Sequence, residues 1–588
     1  MLNVSQEYIE ASLENDRTSF IVLKYGLYNK GAKQQLDNVI STNKQPFSNM
    51  FKLYNETKET NYNYISCEPN RCKLDGTFYF VSDKTKPNGQ ENIAYWSESL
   101  SNANGLFTTN PKIEYIFSNK IKYTPLTLYF QEVCSSFKAK YYDDLTLVKE
   151  VLIENNTSLT PTTEQITFQE VLFNKLEIEF IKTKEPNRYI KFNEIDFGVI
   201  QTFSYDEIKD LEIINEFSID SETLSSNTIN VKIDDKKGMY DILNPNNKLD
   251  LLQEKQEISA YHYLKVGNVF RELPLGSFLI KKISISKNEL KLEGYDDTYF
   301  MNKIYYGGYY YERKSIIEIL KDLFNYFNYT KYELDSSISD VYLTGYIPNV
   351  EFKDALRLIC EAGKCNLIKT PQGITRIFKI NRVKGQTFTF NRRVLFKEES
   401  TKNLYNNTID VVEYEYSKNS ELQTVYDGRV ELTTTTPQTL TLAFSKEPIL
   451  HTTLKIDQEK TTANIEIISV YATSCVIKAK SSGKIVLTAN TFNVSRQIKR
   501  INKENTITYD EYSIKKVDNQ LITNNNSNDI AMWKLNRSNV KYNFDTLLLP
   551  YIEVGDNCVY ETKYNQLNGF VPTKIQINKS IIQNVIGE

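Results

Sequence analysis

The sequence predicts a mostly β, multidomain chain with a small α/β subdomain and inserted β-sandwich domains. Three observations carry this. Apolar and polar residues alternate at period two over much of the chain, as strands with one buried face require. Tyr (41) and Phe (30) far outnumber Met (5), and aromatic rings suit half-buried pleated surfaces. At 588 residues the chain exceeds the size at which one core keeps growing, so roughly three to five domains are expected.

The elements follow in order. Ser5 is placed to cap a helix over residues 6–13, and Ser19-Phe20-Ile21-Val22-Leu23-Lys24-Tyr25 has strand composition. Alternation in Leu176-Glu177-Ile178-Glu179-Phe180, and again over residues 189–195, predicts a β-sandwich spanning 46–199. Residues 212–219 and 229–233 alternate, Gly238 and Asn244-Pro245 mark turns, and 278–293 reads as two strands joined at Lys287-Asn288. Ser315-Ile316-Ile317-Glu318 has the form of a capping box, after which Ile316, Ile319, Leu320, Leu323 and Phe327 share one helical face. A second helix follows Asn349, with Phe352, Ala355, Leu356 and Ile359 at helical spacing and Gly363 as its stop. Residues 365–368 and 375–380 then flank Pro371-Gln372-Gly373, completing a small α/β unit. Residues 418–500 are Thr-rich, with strands expected at 430–435, 439–444, 465–471, 476–480 and 485–489, a second sandwich. An Asn-rich loop over 519–528 leads into a helix over 529–536 capped by Ser527.

Composition narrows the function. A net charge of -3 provides no field for a polyanion, and no basic stripe is interleaved with aromatics, so nucleic acid is not an expected partner. His262 and His451 are the two histidines, far apart and outside any nucleophile or ligand motif. Seven cysteines fit no zinc spacing: Cys67 and Cys72 are five apart, as are Cys360 and Cys365, while Cys134, Cys475 and Cys558 stand alone. Free thiols in a reducing compartment are expected. No P-loop, dinucleotide fingerprint, metal site or cofactor motif is present, and no catalytic residue is assigned. The opening Met1-Leu2-Asn3-Val4-Ser5-Gln6-Glu7 carries charge where an export signal needs an apolar run, and no window reaches the apolar length of a membrane span.

Several phrases, taken in order, resemble the hub-like minor structural proteins of phage tails from low-GC Gram-positive hosts. They are Leu211-Glu212-Ile213-Ile214-Asn215-Glu216-Phe217-Ser218, Asn227-Thr228-Ile229-Asn230-Val231-Lys232-Ile233-Asp234-Asp235, Leu243-Asn244-Pro245, Leu275-Gly276-Ser277-Phe278-Leu279-Ile280, Gly294-Tyr295-Asp296-Asp297 and Tyr346-Ile347-Pro348. Tyr551-Ile552-Glu553-Val554-Gly555-Asp556 is similar to the family's closing segment, whose strands return to complete the barrel. Within 46–199, Leu74-Asp75-Gly76-Thr77-Phe78, Tyr95-Trp96-Ser97-Glu98-Ser99-Leu100-Ser101 and Asn187-Arg188-Tyr189-Ile190-Lys191-Phe192 resemble discoidin-like jelly rolls inserted in such proteins.

The resemblance implies hub-type barrels divided as follows: 1–45, helix and first barrel strand; 46–199, discoidin-like insert; 200–300, hub barrel; 301–415, α/β subdomain; 416–505, second insert; 506–588, closing hub strands. It implies a virion tail tip or baseplate protein, assembled in the host cytoplasm, that oligomerises as a trimer and links the tail tube to peripheral tail proteins. A non-enzymatic, structural role follows. Two other readings stay open. One is a receptor-binding protein that recognises cell-wall carbohydrate through 46–199, with Tyr95 and Trp96 as candidate stacking faces, although Trp96 reads first as core beside Leu100 and Phe107. The other is a peptidoglycan hydrolase, for which a carboxylate pair among 74 acidic residues would suffice. Tyr305, Tyr306, Tyr309, Tyr310 and Tyr311 are candidate subunit-interface residues, with internal packing as the alternative.

Overall fold

Strand Ser19–Tyr28 joins segments that lie far apart in the sequence. Its Ile21, Leu23, Tyr25 and Leu27 are buried, the inward face of the period-two pattern. On one side it pairs antiparallel with Glu257–Val266, and on the other with the end of Lys191–Phe203. In this computed structural model the path continues through Val269–Ser286, Glu289–Tyr295, Thr228–Asp234 and Ile208–Glu216 to Pro572–Asn578, Ile582–Gly587, Val540–Leu547 and Leu395–Lys402. The structure describes the chain apart from residues 1, 3, 15, 51–52, 54–63, 74, 76, 79–93, 164–170, 237, 242–243, 245–251, 253, 287, 381, 383–387, 403–407, 433–435, 504–513 and 539. Start, middle and end of the chain therefore share one antiparallel sheet, and one apolar core runs from Tyr8 to Val585.

Local chemistry explains the elements. Ser5 caps helix Gln6–Ser12, its hydroxyl accepting from the Tyr8 N–H. The helix lies on strand Glu257–Val266, where the Tyr8 hydroxyl meets His262 Nδ1 at 3.1 Å. The hairpin after Ser286 has a two-residue loop, and Asn288 takes the left-handed conformation (φ +63°) that such loops demand; Lys287 lies outside the described residues. Leu243, Pro245, Leu74 and Gly76, quoted above for their resemblance, also lie outside them.

The first insert stacks two sheets. One orders Leu36–Ile40, Lys112–Lys122, Leu172–Thr183, Cys134–Asp143 and Thr146–Ile153. The other pairs Tyr95–Trp96 and Leu126–Phe130 with Lys191–Phe203. Between them lie Tyr115, Phe137, Phe180 and Phe192. Two findings move the boundaries read from sequence. Leu36–Ile40, read with the hub segment 1–45, pairs with Lys112–Lys122 of the insert. Lys191–Phe203 belongs to both units, meeting Tyr95 at Phe192 and Leu23 at Phe203. Periodicity reports which face of a strand is buried, not which strand pairs with it.

Helices Ile316–Tyr326 and Phe352–Gly363 bury the expected faces, except that Phe327 is the half-buried C-cap of the first and Phe324 is buried in the helix instead. Three details differ from the sequence reading. Ser315 occupies the N-cap without a side-chain hydrogen bond. Gly363 is the last helical residue, and Lys364 (φ +53°) takes the left-handed cap; a Cβ on Gly363 would collide with Ile316 Cδ1, so the glycine serves packing. The helix expected over 529–536 spans Ser527–Leu535, with Asn526 at its N-cap, and the Ser527 hydroxyl donates to Glu413 instead. Strands Asn366–Lys369 and Thr375–Phe378 flank a turn containing Gly373 (φ +77°), as the Pro-Gln-Gly phrase predicts.

Strands Thr408–Val430 and Gly483–Asn502 form a long ribbon, of which the sequence reading expected a strand only at 485–489 and at its end, Val430. Its base enters the α/β core through Ile409 and Val411. Its far half packs Val425, Ile485 and Leu487 against a sheet of Gln438–Ala443, Ser474–Ala479 and Ile465–Val470. Of the strand expected at 430–435, Val430 ends the ribbon's ladder and residues 431–432 are outside any strand, while Thr433, Thr434 and Thr435 lie outside the described residues. The fold is mostly β and multidomain.

Candidate assembly surfaces and the junctions behind them

The tyrosine cluster faces inward. Tyr305 and Tyr311 are each 1% exposed, and Tyr305 packs edge-on against Tyr326 at 5.0 Å. Tyr309 lies against His451 and Tyr471, and Tyr310 stacks on Phe492 at 4.0 Å. The Tyr306 carbonyl accepts from the Ser474 hydroxyl at 2.6 Å, and the Gly308 carbonyl from the Ala472 N–H at 2.7 Å. These rings dock the second sandwich on the α/β subdomain within one chain, leaving Tyr306, Tyr309 and Tyr310 half-buried.

Tyr95 and Trp96 are 1% and 4% exposed. Trp96 packs among Phe47, Tyr64 and Tyr189, with Lys191 Nζ 4.6 Å from its ring centre. Lys191 in turn pairs with Glu68 and, at 3.1 Å, Glu132. Neither ring offers an open face for a sugar to stack on.

Two buried charge junctions hold the modules together. In the Gly-Tyr-Asp-Asp phrase, Asp296 accepts from the N–H groups of Asn227 (2.7 Å) and Thr298 (2.9 Å). Asp297 pairs with Lys369, whose ammonium also donates to Tyr329 Oη at 2.7 Å. This phrase therefore bolts the barrel to the α/β subdomain. In the second junction, Lys534 is buried against Glu361 at 2.9 Å and donates to the Asp220 carbonyl at 3.0 Å. The Asp220 carboxylate meets Lys515 and Arg537, both at 3.1 Å, and Arg537 continues to Glu588. Sequence reading missed this set. A lysine between the apolar Ile530, Ala531 and Leu535 of a helix was the available signal.

These groups set the response to acid. Burial, reinforced by nearby Arg17, pushes His262 down to about 3. Its contribution to stability is thus present above about pH 6.5, where the unfolded imidazole is also neutral, and is lost as pH falls toward 3. Burial lifts the Asp296 carboxyl to about 6. That contribution has the opposite sign, growing as pH falls from about 6 to about 4, so the two offset each other in this window. Burial also opposes ionisation of Asp220, but Lys534, Arg537 and Lys515 outweigh it and hold the carboxyl well below the usual range. The stability Asp220 contributes is lost only below about pH 4. His262→Gln leaves Asp296 unopposed. The difference in unfolding free energy between parent and variant is expected to change by about 1.4 kcal/mol per pH unit between pH 4 and 6 in urea titrations. Parallel curves would contradict the assignment.

The outer surfaces are unlike one another. The long sheet ends at Leu395–Lys402, whose Lys397, Glu398, Glu399 and Lys402 are exposed, a charged edge that discourages strand addition. The insert's five-stranded sheet ends at Thr146–Ile153, where Leu147, Val148 and Leu152 are exposed beside Leu145, 93% exposed at the turn. On the barrel exterior Phe20 stacks on Tyr263 at 5.4 Å and meets Phe270, which with Val269 is exposed at a hairpin tip. All seven cysteines are free thiols, with Cys67 and Cys72 at the surface. Among the described residues no helix is long and apolar enough to cross a membrane.

No protein-family model matches the chain, and no curated protein does. Solved structures are loosely similar. The 43 kDa tail protein of prophage MuSo2 from Shewanella oneidensis is 8% identical, with 66% of this chain and 95% of that one covered at a TM-score of 0.38. A tail protein from Neisseria meningitidis MC58 is 9% identical, with 66% and 93% covered at 0.39. A prophage tail protein from Listeria monocytogenes is 9% identical, with 66% and 90% covered at 0.32. Likeness at this level carries no functional argument by itself.

Proposed function

We propose that the chain is a structural subunit of a phage tail tip or baseplate, or of a phage-tail-like particle. It associates with itself as a trimer and joins the tail tube to peripheral proteins. The observation that carries this reading is the weave of the hub: Ser19–Tyr28, the strands from Ile208 to Tyr295, and Pro572–Asn578 form one sheet, and that sheet takes in the phrases at 211–218, 227–235 and 275–280 that resemble hub proteins. The first sandwich departs from that sheet after Ser19–Tyr28 and returns to it through Lys191–Phe203, and the second is carried on the ribbon rooted in the α/β core. Such a body is a stiff centre with two projecting modules, and its work is assembly rather than catalysis. The apolar edge Thr146–Ile153 and the Phe20–Tyr263–Phe270 strip supply contact area for neighbouring subunits or tail proteins.

Glycan recognition by the first insert is the second reading, and with Tyr95 and Trp96 buried it requires a different surface of that insert. Negative-stain images of the purified full chain are expected to average to closed three-fold particles with radiating modules. Isolated elongated chains at every concentration would overturn self-association.

A further inference from the structure

Beside the Lys534 junction lies a cleft of about 820 Å3, a size within the range of small-molecule sites. Helix Ser527–Leu535 and its C-cap supply Asp529, Met532, Trp533 and Asn536, at the i, i+3, i+4, i+7 spacing of one helical face. The α/β subdomain supplies Asp340, Lys364, Asn366 and Lys379. The rim is open, with the Asp529 and Asp340 carboxylates 68% and 80% exposed, whereas the Glu588 side chain is fully buried.

Two features of the lining point to a ligand and to its chemistry. Every charged side chain there is already neutralised within the chain: Lys364 meets Asp529 at 2.9 Å, Lys379 meets Asp340 at 3.1 Å, and Arg382 and Arg537 both meet Glu588 at 3.3 Å. The uncharged groups, by contrast, are left open. Asn366 is 1% exposed and its carboxamide nitrogen donates to the Ile219 carbonyl at 2.7 Å, but its carboxamide oxygen has no partner among the described residues. The Trp533 indole N–H and the Asn536 carboxamide have none there either. Trp533 is also unlike Trp96, which is enclosed by three aromatic rings. It is half-buried, meets no other aromatic ring among the described residues, and has only the Lys534 ammonium 5.8 Å from its ring centre.

A polyanion would have to displace a carboxylate from each cation it met, and an apolar ligand would leave the buried Asn366 oxygen unpaired. A neutral polyhydroxyl ring satisfies both features, since its hydroxyls donate and accept at the carboxamides and its C–H face lies on the indole. We propose that this cleft binds a neutral oligosaccharide, with one pyranose ring stacked on Trp533 and hydroxyls bonded to Asn366 and Asn536. The site is separate from the first insert and independent of the subunit's role in assembly. Pyranosides with equatorial substituents, as in β-1,4-linked glucose and N-acetylglucosamine, present the flattest C–H faces and are the probes of choice.

Saturation-transfer difference NMR of the full chain with cellotetraose and with chitotetraose tests the site. Transfer to the ring protons of at least one sugar is expected. Trp533→Leu should abolish it, and Asn536→Ala, a change at an exposed side chain, should raise the Kd about tenfold, the equivalent of one lost hydrogen bond, with the urea midpoint unmoved. Should Trp533→Leu lower the midpoint, Asn536→Ala decides alone. Absence of transfer from both sugars would overturn the proposal. Transfer undiminished in Asn536→Ala would place the sugar elsewhere on the chain and overturn this site.

Discussion

Replacing Lys534 with Ala is expected to destabilise the chain by about 3–5 kcal/mol, the cost of leaving a buried partner charge uncompensated. Lys534 is fully enclosed, pairs with Glu361 at 2.9 Å and donates to the Asp220 carbonyl, so its removal strips two elements at once. Glu361 would retain Arg357 at 3.5 Å and Asn519 at 3.1 Å, neither of which replaces a buried ammonium. The double variant Lys534→Met, Glu361→Gln should recover much of the loss, because matched removal of both charges leaves no orphan. Lys232→Ala, which removes an exposed pair with Asp210, should leave the urea midpoint where it was. Equal effects from Lys534 and Lys232 would refute the junction.

Gly345→Ala should be comparably severe, at about 3 kcal/mol. Gly345 has φ +131°, and a Cβ built on it would overlap the carbonyl oxygen of Gln520, with Leu521 Cα only 3.1 Å away. Both the backbone conformation and the close approach of a second backbone therefore require glycine. Gly238→Ala is the control: its φ is also positive (+59°), but the nearest atom would lie 3.7 Å away, so only the conformational cost of about 1 kcal/mol remains. Hydrogen exchange near residues 342–346 and 519–522 should report the Gly345 effect locally. A Gly345→Ala variant no weaker than Gly238→Ala would contradict the packing described.

What was legible in the sequence was the local part. Period-two runs such as Leu176-Glu177-Ile178-Glu179-Phe180 name their buried face, and the spacing of Ile316, Ile319, Leu320 and Leu323 names a helix, because both depend on near neighbours. What was not legible was partnership. Nothing within Leu36–Ile40 says that it pairs with Lys112–Lys122 rather than the barrel, and nothing in Lys191–Phe203 says that one strand serves two sheets. The tyrosine cluster illustrates the same limit, since five tyrosines in seven residues make good contact area whether the surface they meet is another subunit or the Phe492 ribbon. Asp220 and Lys534, more than 300 residues apart, had no local signature of their meeting.

The central claim is that the woven barrel is a self-assembling structural hub. Light scattering of the purified full chain across a concentration series tests it most directly. The account predicts a mass three times that of the chain, persisting on dilution. A mass of one chain at every concentration would contradict it and leave the barrel as a peripheral, singly bound component.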